Sequence, residues 1–318
     1  MIFTRRHALG GAGPLAVGLL LSLGSSSALA QGWFGRMAAE VDDADGYILS
    51  GTLGGSFSER TSWDVSASRS DTSTDLADLL RTAYRANLGH DFGSVGIRVG
   101  LDGWNDDNLV QTQAATAAVD LHNDNWSFAV RTEFRHSDFD PLDINRTITR
   151  RDGSPLTITG RADCEVDDTG LGARLSYSNA DWYFDVSGME YDYDDFGCDF
   201  SIAALDVLRT ATRDEFVQLA DRATDLLSLG TGRRLLAETS LLDSHVGTRL
   251  SYTRGLHTYR VSYDRVEDIF FGRTATTLTG GVAFLLRSGN ELEVYTGVTD
   301  SDAYSNVVFL GVAVLILR

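Results

Sequence analysis

Three short constellations in this chain carry residue types that could activate water or a hydroxyl. Asp243-Ser244-His245 and Asp192-Tyr193-Asp194 supply a histidine, its carboxylate partner and a second acidic pair, the equipment of general-base hydrolysis. His136-Ser137 sets a base beside a nucleophile, but adjacent residues of a strand face opposite sides, so the two cannot meet. Carboxylates crowd four places: Asp106-Asp107, Asp138 with Asp140, Asp163 to Asp168, and Asp192 to Asp199. Oxygen ligands at that density could hold Ca²⁺ or Mg²⁺ loosely, although a solvated acidic surface is the weightier reading. Asp42-Asp43-Ala44-Asp45-Gly46 approaches a calcium loop but lacks the first ligand and the distal Glu, and is rejected. There is no glycine-rich phosphate loop and no Cys/His metal spacing.

The elements that would position such residues are strands of one size. Segments of about ten to thirteen residues alternate apolar and polar, as in Val95, Ile97, Val99 and Leu101 against Arg98 and Asp102. They exceed the usual strand of about five to six residues, and when tilted they span a bilayer. Twelve are expected: Trp63–Ser70, Thr82–Asp91, Ser94–Gly103, Leu109–His122, Trp126–His136, Gly170–Ser178, Trp182–Tyr191, Leu242–Thr253, His257–Val266, Thr274–Arg287, Glu291–Thr299 and Tyr304–Leu317. Tyr47–Phe57 is awkward, because it either extends the first strand or pairs with Phe34–Val41 to give fourteen. Twelve is retained. Asn123-Asp124-Asn125, Asn179-Ala180-Asp181 and Arg254-Gly255-Leu256 are among the tight turns, and they alternate with longer links at 137–169 and 192–241. Only three prolines occur, which suits long ladders.

Charge and aromatics add a sidedness. One face collects Arg85, Arg98, Arg131, Glu133, Arg135, Arg174, Asp185, Arg249, Arg260, Asp264, Glu291 and Glu293, while the other reads Trp126, Phe128, Val130, Phe134 or Tyr259, Val261, Tyr263. An arginine facing lipid at mid-depth costs about 2–4 kcal/mol, so the charged face is expected to line a lumen. A soluble sandwich would turn this inside out. Phe92, Trp126, Tyr177, Trp182, Tyr252 and Tyr259 flank the short turns. Trp104, Phe134, Phe139, Tyr191, Tyr193, Phe270 and Tyr304 sit near the other strand ends, and together these sets suggest two interfacial girdles. The net charge of −18 argues against nucleic acid as a partner.

The link after Tyr193 places Ile202, Leu205, Leu208, Thr212, Phe216, Leu219, Ala223 and Leu226 three and four apart, predicting an amphipathic helix over 200–238. It could be a lid, a plug, a protein-docking face, or a helix packed on the rim. Cys164 and Cys198 fall symmetrically about the Asn179-Ala180 turn, so a disulfide between them at one rim is expected in an exported protein. Residues 1–30, with Arg5-Arg6, an apolar run and Ala28-Leu29-Ala30, read as a cleaved export signal. Residues 31–45 follow as an N-terminal periplasmic segment, and 46–318 as the strand region.

At Asn306 to Arg318 the chain resembles the outer-membrane β-barrel proteins of Gram-negative bacteria, whose last strand carries an assembly signal of a glycine followed by alternating hydrophobics. Gly311, Val314 and Ile316 fit that spacing, and Arg318 replaces the customary terminal aromatic. The resemblance covers residues 46–318 as architecture only. It implies an all-β, up-and-down antiparallel transmembrane barrel in the cell outer membrane, in contact with lipid and lipopolysaccharide and inserted by the barrel-assembly machinery. Asp243-Ser244-His245 and Asp192-Tyr193-Asp194 look like elements of the omptin proteases, but each histidine is better read as a polar lumen or rim residue. The expected function is therefore passage of small polar or anionic solutes, gated or partly plugged by the helical link, with no cofactor. The alternatives are a structural or interaction barrel with a protein partner at the link helix and, last, a rim hydrolase.

Overall fold

The computed structural model describes residues 32–43, 46–73, 78–106, 110–149, 155–193, 197–202, 242–268, 274–302 and 304–318. Residues 1–31 lie outside them, and with them the expected export signal. The strands are β1 (Trp33–Asp42), β2 (Tyr47–Ser58), β3 (Thr61–Ser73), β4 (Asp78–Asp91), β5 (Val95–Asp106), β6 (Val110–His122), β7 (Trp126–Thr149) and β8 (Pro155–Ser178). They continue as β9 (Trp182–Tyr193), β10 (Gly197–Ile202), β11 (Leu242–Arg254), β12 (His257–Asp268), β13 (Thr274–Leu285), β14 (Glu291–Ser301) and β15 (Tyr304–Leu317). Every neighbouring pair is antiparallel, β1 closes on β15, and β9 bridges β8 to β11. The wall is a closed ring of fourteen strands, with the short β10 added outside it.

Twelve strands was therefore two too few. Residues 33–42, expected to lie apart as a periplasmic segment, form β1, and Tyr47–Ser58 forms β2 against it. Without β1, both β2 and β15 would present an unpaired edge, which a bilayer does not tolerate. Following the paired positions once round the wall displaces the register by about fourteen residues, which tilts the strands by roughly 35–40° on a backbone cylinder about 25 Å across.

The short-turn end is built by local side-chain chemistry. Asn123 Oδ1 accepts hydrogen bonds from the amides of Asn125 and Trp126, and Asn179 Oδ1 does the same for Asp181 and Trp182. Each asparagine thereby shapes its turn and delivers a tryptophan to the first position of the next strand. Trp126 packs on Tyr177 and Trp182 on Tyr252, with ring centroids 4.9 and 4.5 Å apart, an aromatic girdle at one interface. Gly93 (φ 110°) and Gly255 (φ 64°) take backbone conformations that a side chain would strain.

The exterior is apolar. Val99, Leu101, Val119, Leu121, Phe128, Val130, Val261, Leu278 and Leu310 are all exposed on the outer face, and Leu171 reaches 64%. No helix among the described residues is long and apolar enough to cross a membrane. At the long-link end β7 and β8 run 24 residues each, well past the wall, and β10 pairs with the β8 extension. Phe200 to Ile202 belong to β10, so a helix cannot begin at 200, and the remainder of the expected helix, including Leu205, Leu208, Phe216 and Leu219, lies outside the described residues. The register sets position 164 opposite position 198, while the two cysteine side chains lie outside the described ones.

Candidate functional site: the lumen

Alternation along each strand sends one set of side chains inward, and these enclose a cavity of about 1480 Å³. The structure places Arg85, Arg98, Arg131, Glu133, Arg135, Arg174, Arg249 and Arg260 on its lining, together with Asp185, Asp264, Glu291 and Glu293. Nine arginines and nine carboxylates line it in all, so the acidic excess of the chain lies elsewhere.

Two networks hold the charges. On one side Arg85 donates to Asp102 at 2.6 Å, Arg131 reaches Asp102 at 3.5 Å and Glu133 at 2.7 Å, and Arg135 Nε donates to Glu133. On the other, Arg36 meets Glu293 at 3.3 Å, and Arg260 meets Glu291 at 2.7 Å and Glu293 at 3.0 Å. Arg174 donates to Asp185 and to the Tyr183 hydroxyl. Arg98 and Arg249 make no ion pair among the described residues, and both are exposed within the cavity.

Toward the long-link end the inward positions change character. Arg135 is stacked over the Tyr191 ring at 4.0 Å and the Trp104 ring at 5.4 Å, and its Nη2 donates to the Tyr191 hydroxyl at 2.6 Å. Asp168 lies 3.9 Å from Arg135 with a fully buried side chain, and neither of its oxygens accepts a hydrogen bond from the described residues. Beyond this layer Tyr191, Leu242, Val266 and Ala275 form a buried cluster with Met189 and Tyr193 against it, and the Tyr193 hydroxyl donates to the Leu242 carbonyl at 2.7 Å. Trp104, Tyr191 and Tyr193 therefore belong to the interior, not to a second girdle as their place near strand ends suggested; Phe134 does face outward. The signal that assigns them is parity: Trp104 continues the phase of Arg98 and Asp102, and Tyr191 that of Asp185. Tyr295 was not assigned, although it continues the phase of Glu291 and Glu293; it lies inward across Gly311, where an added Cβ would meet its ring at 2.1 Å.

Among the described residues the hydrolytic constellations do not assemble, and Asp194 lies outside them. His245 faces the lumen, 3.7 Å from Asp264, whereas Asp192 lies exposed on the opposite parity of β9, outside the wall. His136 is exposed and Ser137 is buried, where it shares a 2.8 Å hydrogen bond with Thr112. On the outer face beyond Phe134, above the apolar band, His136, Asp138 and Glu165 bring candidate ligand atoms within 4.8 Å of one another, the group among the described residues best suited to a divalent cation. His136 Nδ1 also lies 2.7 Å from Asp167, and that hydrogen bond holds its imidazolium above the ordinary histidine range.

No protein-family model matches the chain, and no curated protein matches its sequence. Solved structures that resemble it include OccK5 (OpdH) of Pseudomonas aeruginosa, with 8% identity and a TM-score of 0.39 over 90% of this chain and 96% of that one. CdiB from Acinetobacter baumannii shares 10% identity with a TM-score of 0.46, covering 91% of this chain and 60% of that one. A loop L8 deletion mutant of OmpT, an outer membrane protein of Vibrio cholerae, shares 11% with a TM-score of 0.41 over 90% and 99%.

Proposed function

We propose that the chain is a channel of the Gram-negative outer membrane for small polar or anionic solutes, gated or partly plugged by the long link after β10. The observation that carries this reading is the sealed wall around a large, polar, ion-paired cavity. Short turns belong on the periplasmic side of such barrels and long links outside. In the outer half the lumen narrows: Ala83 and Ala114 pack with Trp104, Ala275 packs with Tyr191, Leu242 and Val266, and Thr112 and Thr277 share hydrogen bonds with Ser137 and Thr299. The sequence of the longest link supplies the apolar stripe, Leu205, Leu208, Phe216 and Leu219 among it, that a gate would use. A Cys164–Cys198 disulfide would tie the base of that link to β8, and the His136 group would seat Ca²⁺ or Mg²⁺ at the level of lipopolysaccharide phosphates.

Planar-bilayer recordings test this. The intact protein gives small or infrequent openings, and removal of residues 203–238 gives a larger, steady conductance. A silent membrane with both proteins rejects the channel. A second reading, a barrel presenting an interaction surface, draws on the β7–β8 extension and β10. It predicts a partner recovered with the intact protein and lost when residues 142–162 are replaced by a short turn.

A further inference from the structure

The register fixes which lumen side chains share a height. Arg98 on β5 connects through Ala118, Arg131, Gly172 and Met189 to His245 on β11. Each step across the tilted wall climbs about one residue toward the long-link end. The positions level with Arg98 are therefore Arg36, Arg174, Arg249 and Arg260, interrupted by Asp64, Asp120, Asp185 and Glu293, of which Asp64 accepts from Asn87 and Asp120 from Ser127. Five arginines form one belt around the lumen.

Three of them are committed: Arg36 and Arg260 to Glu293, and Arg174 to Asp185. Asp185 is the register partner of Arg249 but is held by Arg174, and Arg249 is left without a carboxylate. Its other register partner is Ser262, and Ser251 follows two residues along the same strand; both hydroxyls line the cavity. Arg98 stands across the lumen, also unpaired among the described residues. Because the lining carries equal numbers of arginines and carboxylates, no net field favours either sign of solute. Selectivity then rests on the guanidinium donors that no carboxylate uses.

We propose that this belt is a binding site for a small oxyanion, a carboxylate or a phosphate, held by Arg249 with the Ser251 and Ser262 hydroxyls and faced by Arg98. The site deepens the channel reading, which says how a ligand arrives, but binding needs no open outer end.

The test uses the full chain purified in detergent, titrated calorimetrically with inorganic phosphate in one arm and succinate in the other. At least one gives saturable binding, and the arm that binds names the ligand chemistry. Arg249→Gln weakens it about tenfold or more, Arg98→Gln weakens it less, and Arg249→Lys retains part of the affinity. Arg265→Gln, on the outer face, leaves it unchanged. Heat-modifiable gel mobility confirms that each variant is folded. Absence of saturable heat in both arms, or equal affinity in wild type and Arg249→Gln, overturns the site. Binding without bilayer conductance leaves the site standing and removes the channel; conductance without binding does the reverse.

Discussion

At the scale of single residues, the lumen shows what an ion pair costs once water is thinned out around it. The Arg135 side chain is 3% exposed and that of Asp168 not at all, so each depends on its neighbours for solvation. Removing one partner of a buried pair costs about 3–5 kcal/mol, whereas replacing both with apolar groups is far cheaper. Arg135→Leu should therefore lower stability by about that amount in urea unfolding from liposomes, and adding Asp168→Leu should restore part of it; additive losses would contradict the coupling. His136 tests the outer face. Its hydrogen bond to Asp167 raises the folded pKa, so the stabilisation is complete below the unfolded value of about 6.5 and is lost as pH rises through the folded value. An NMR titration should show the His136 midpoint falling in Asp167→Asn; an unchanged midpoint contradicts the assignment. The inward arginines were legible in the sequence because the two-residue period is rigid. Trp104 and Tyr191 were misread because position near a strand end was weighed above that same period, which already carried them inward.

At the scale of elements, the tight turns were the most legible feature and the first strand the least. Asn123 and Asn179 announce their turns because their side chains replace backbone acceptors, a local effect that needs no knowledge of the fold. β1 offers only Met37, Ala39 and Val41 outward against Arg36, Ala38 and Glu40 inward, with Gly35 among them, and this weak contrast hid it. Its place follows from closure, a long-range requirement that no window of sequence contains. Yet β1 bonds to both β2 and β15, and it is the seam of the ring. Removing residues 33–42 should leave a protein that no longer shifts on unboiled gels and that proteases digest in liposomes. A protected, heat-modifiable product would show that thirteen strands suffice. The 24-residue β7 and β8 were likewise underestimated, because their outer halves pair with each other and not with the wall, and so escape the bilayer's limit on strand length.

At the scale of the whole molecule, the acidic balance, the neutral lumen and the apolar exterior form one arrangement. Charges that would be costly against lipid are paired inside, and the carboxylates in excess of the arginines do not line the lumen. The chemistry of the solute was the least legible part, because pairing decides which arginines remain available, and pairing depends on neighbours that are distant in sequence, as Arg36 and Glu293 are. The account stands on the direction in which the two faces point. Spin labels in lipid vesicles measure this directly, with Cys164 and Cys198 replaced by serine and single cysteines introduced by Val130→Cys and Val261→Cys on one face and Ala118→Cys and Ser176→Cys on the other. Collision with dissolved oxygen should dominate at 130 and 261, and collision with a water-soluble nickel chelate at 118 and 176. The opposite pattern, or uniform access of the chelate to all four, would contradict a wall whose apolar face meets the bilayer.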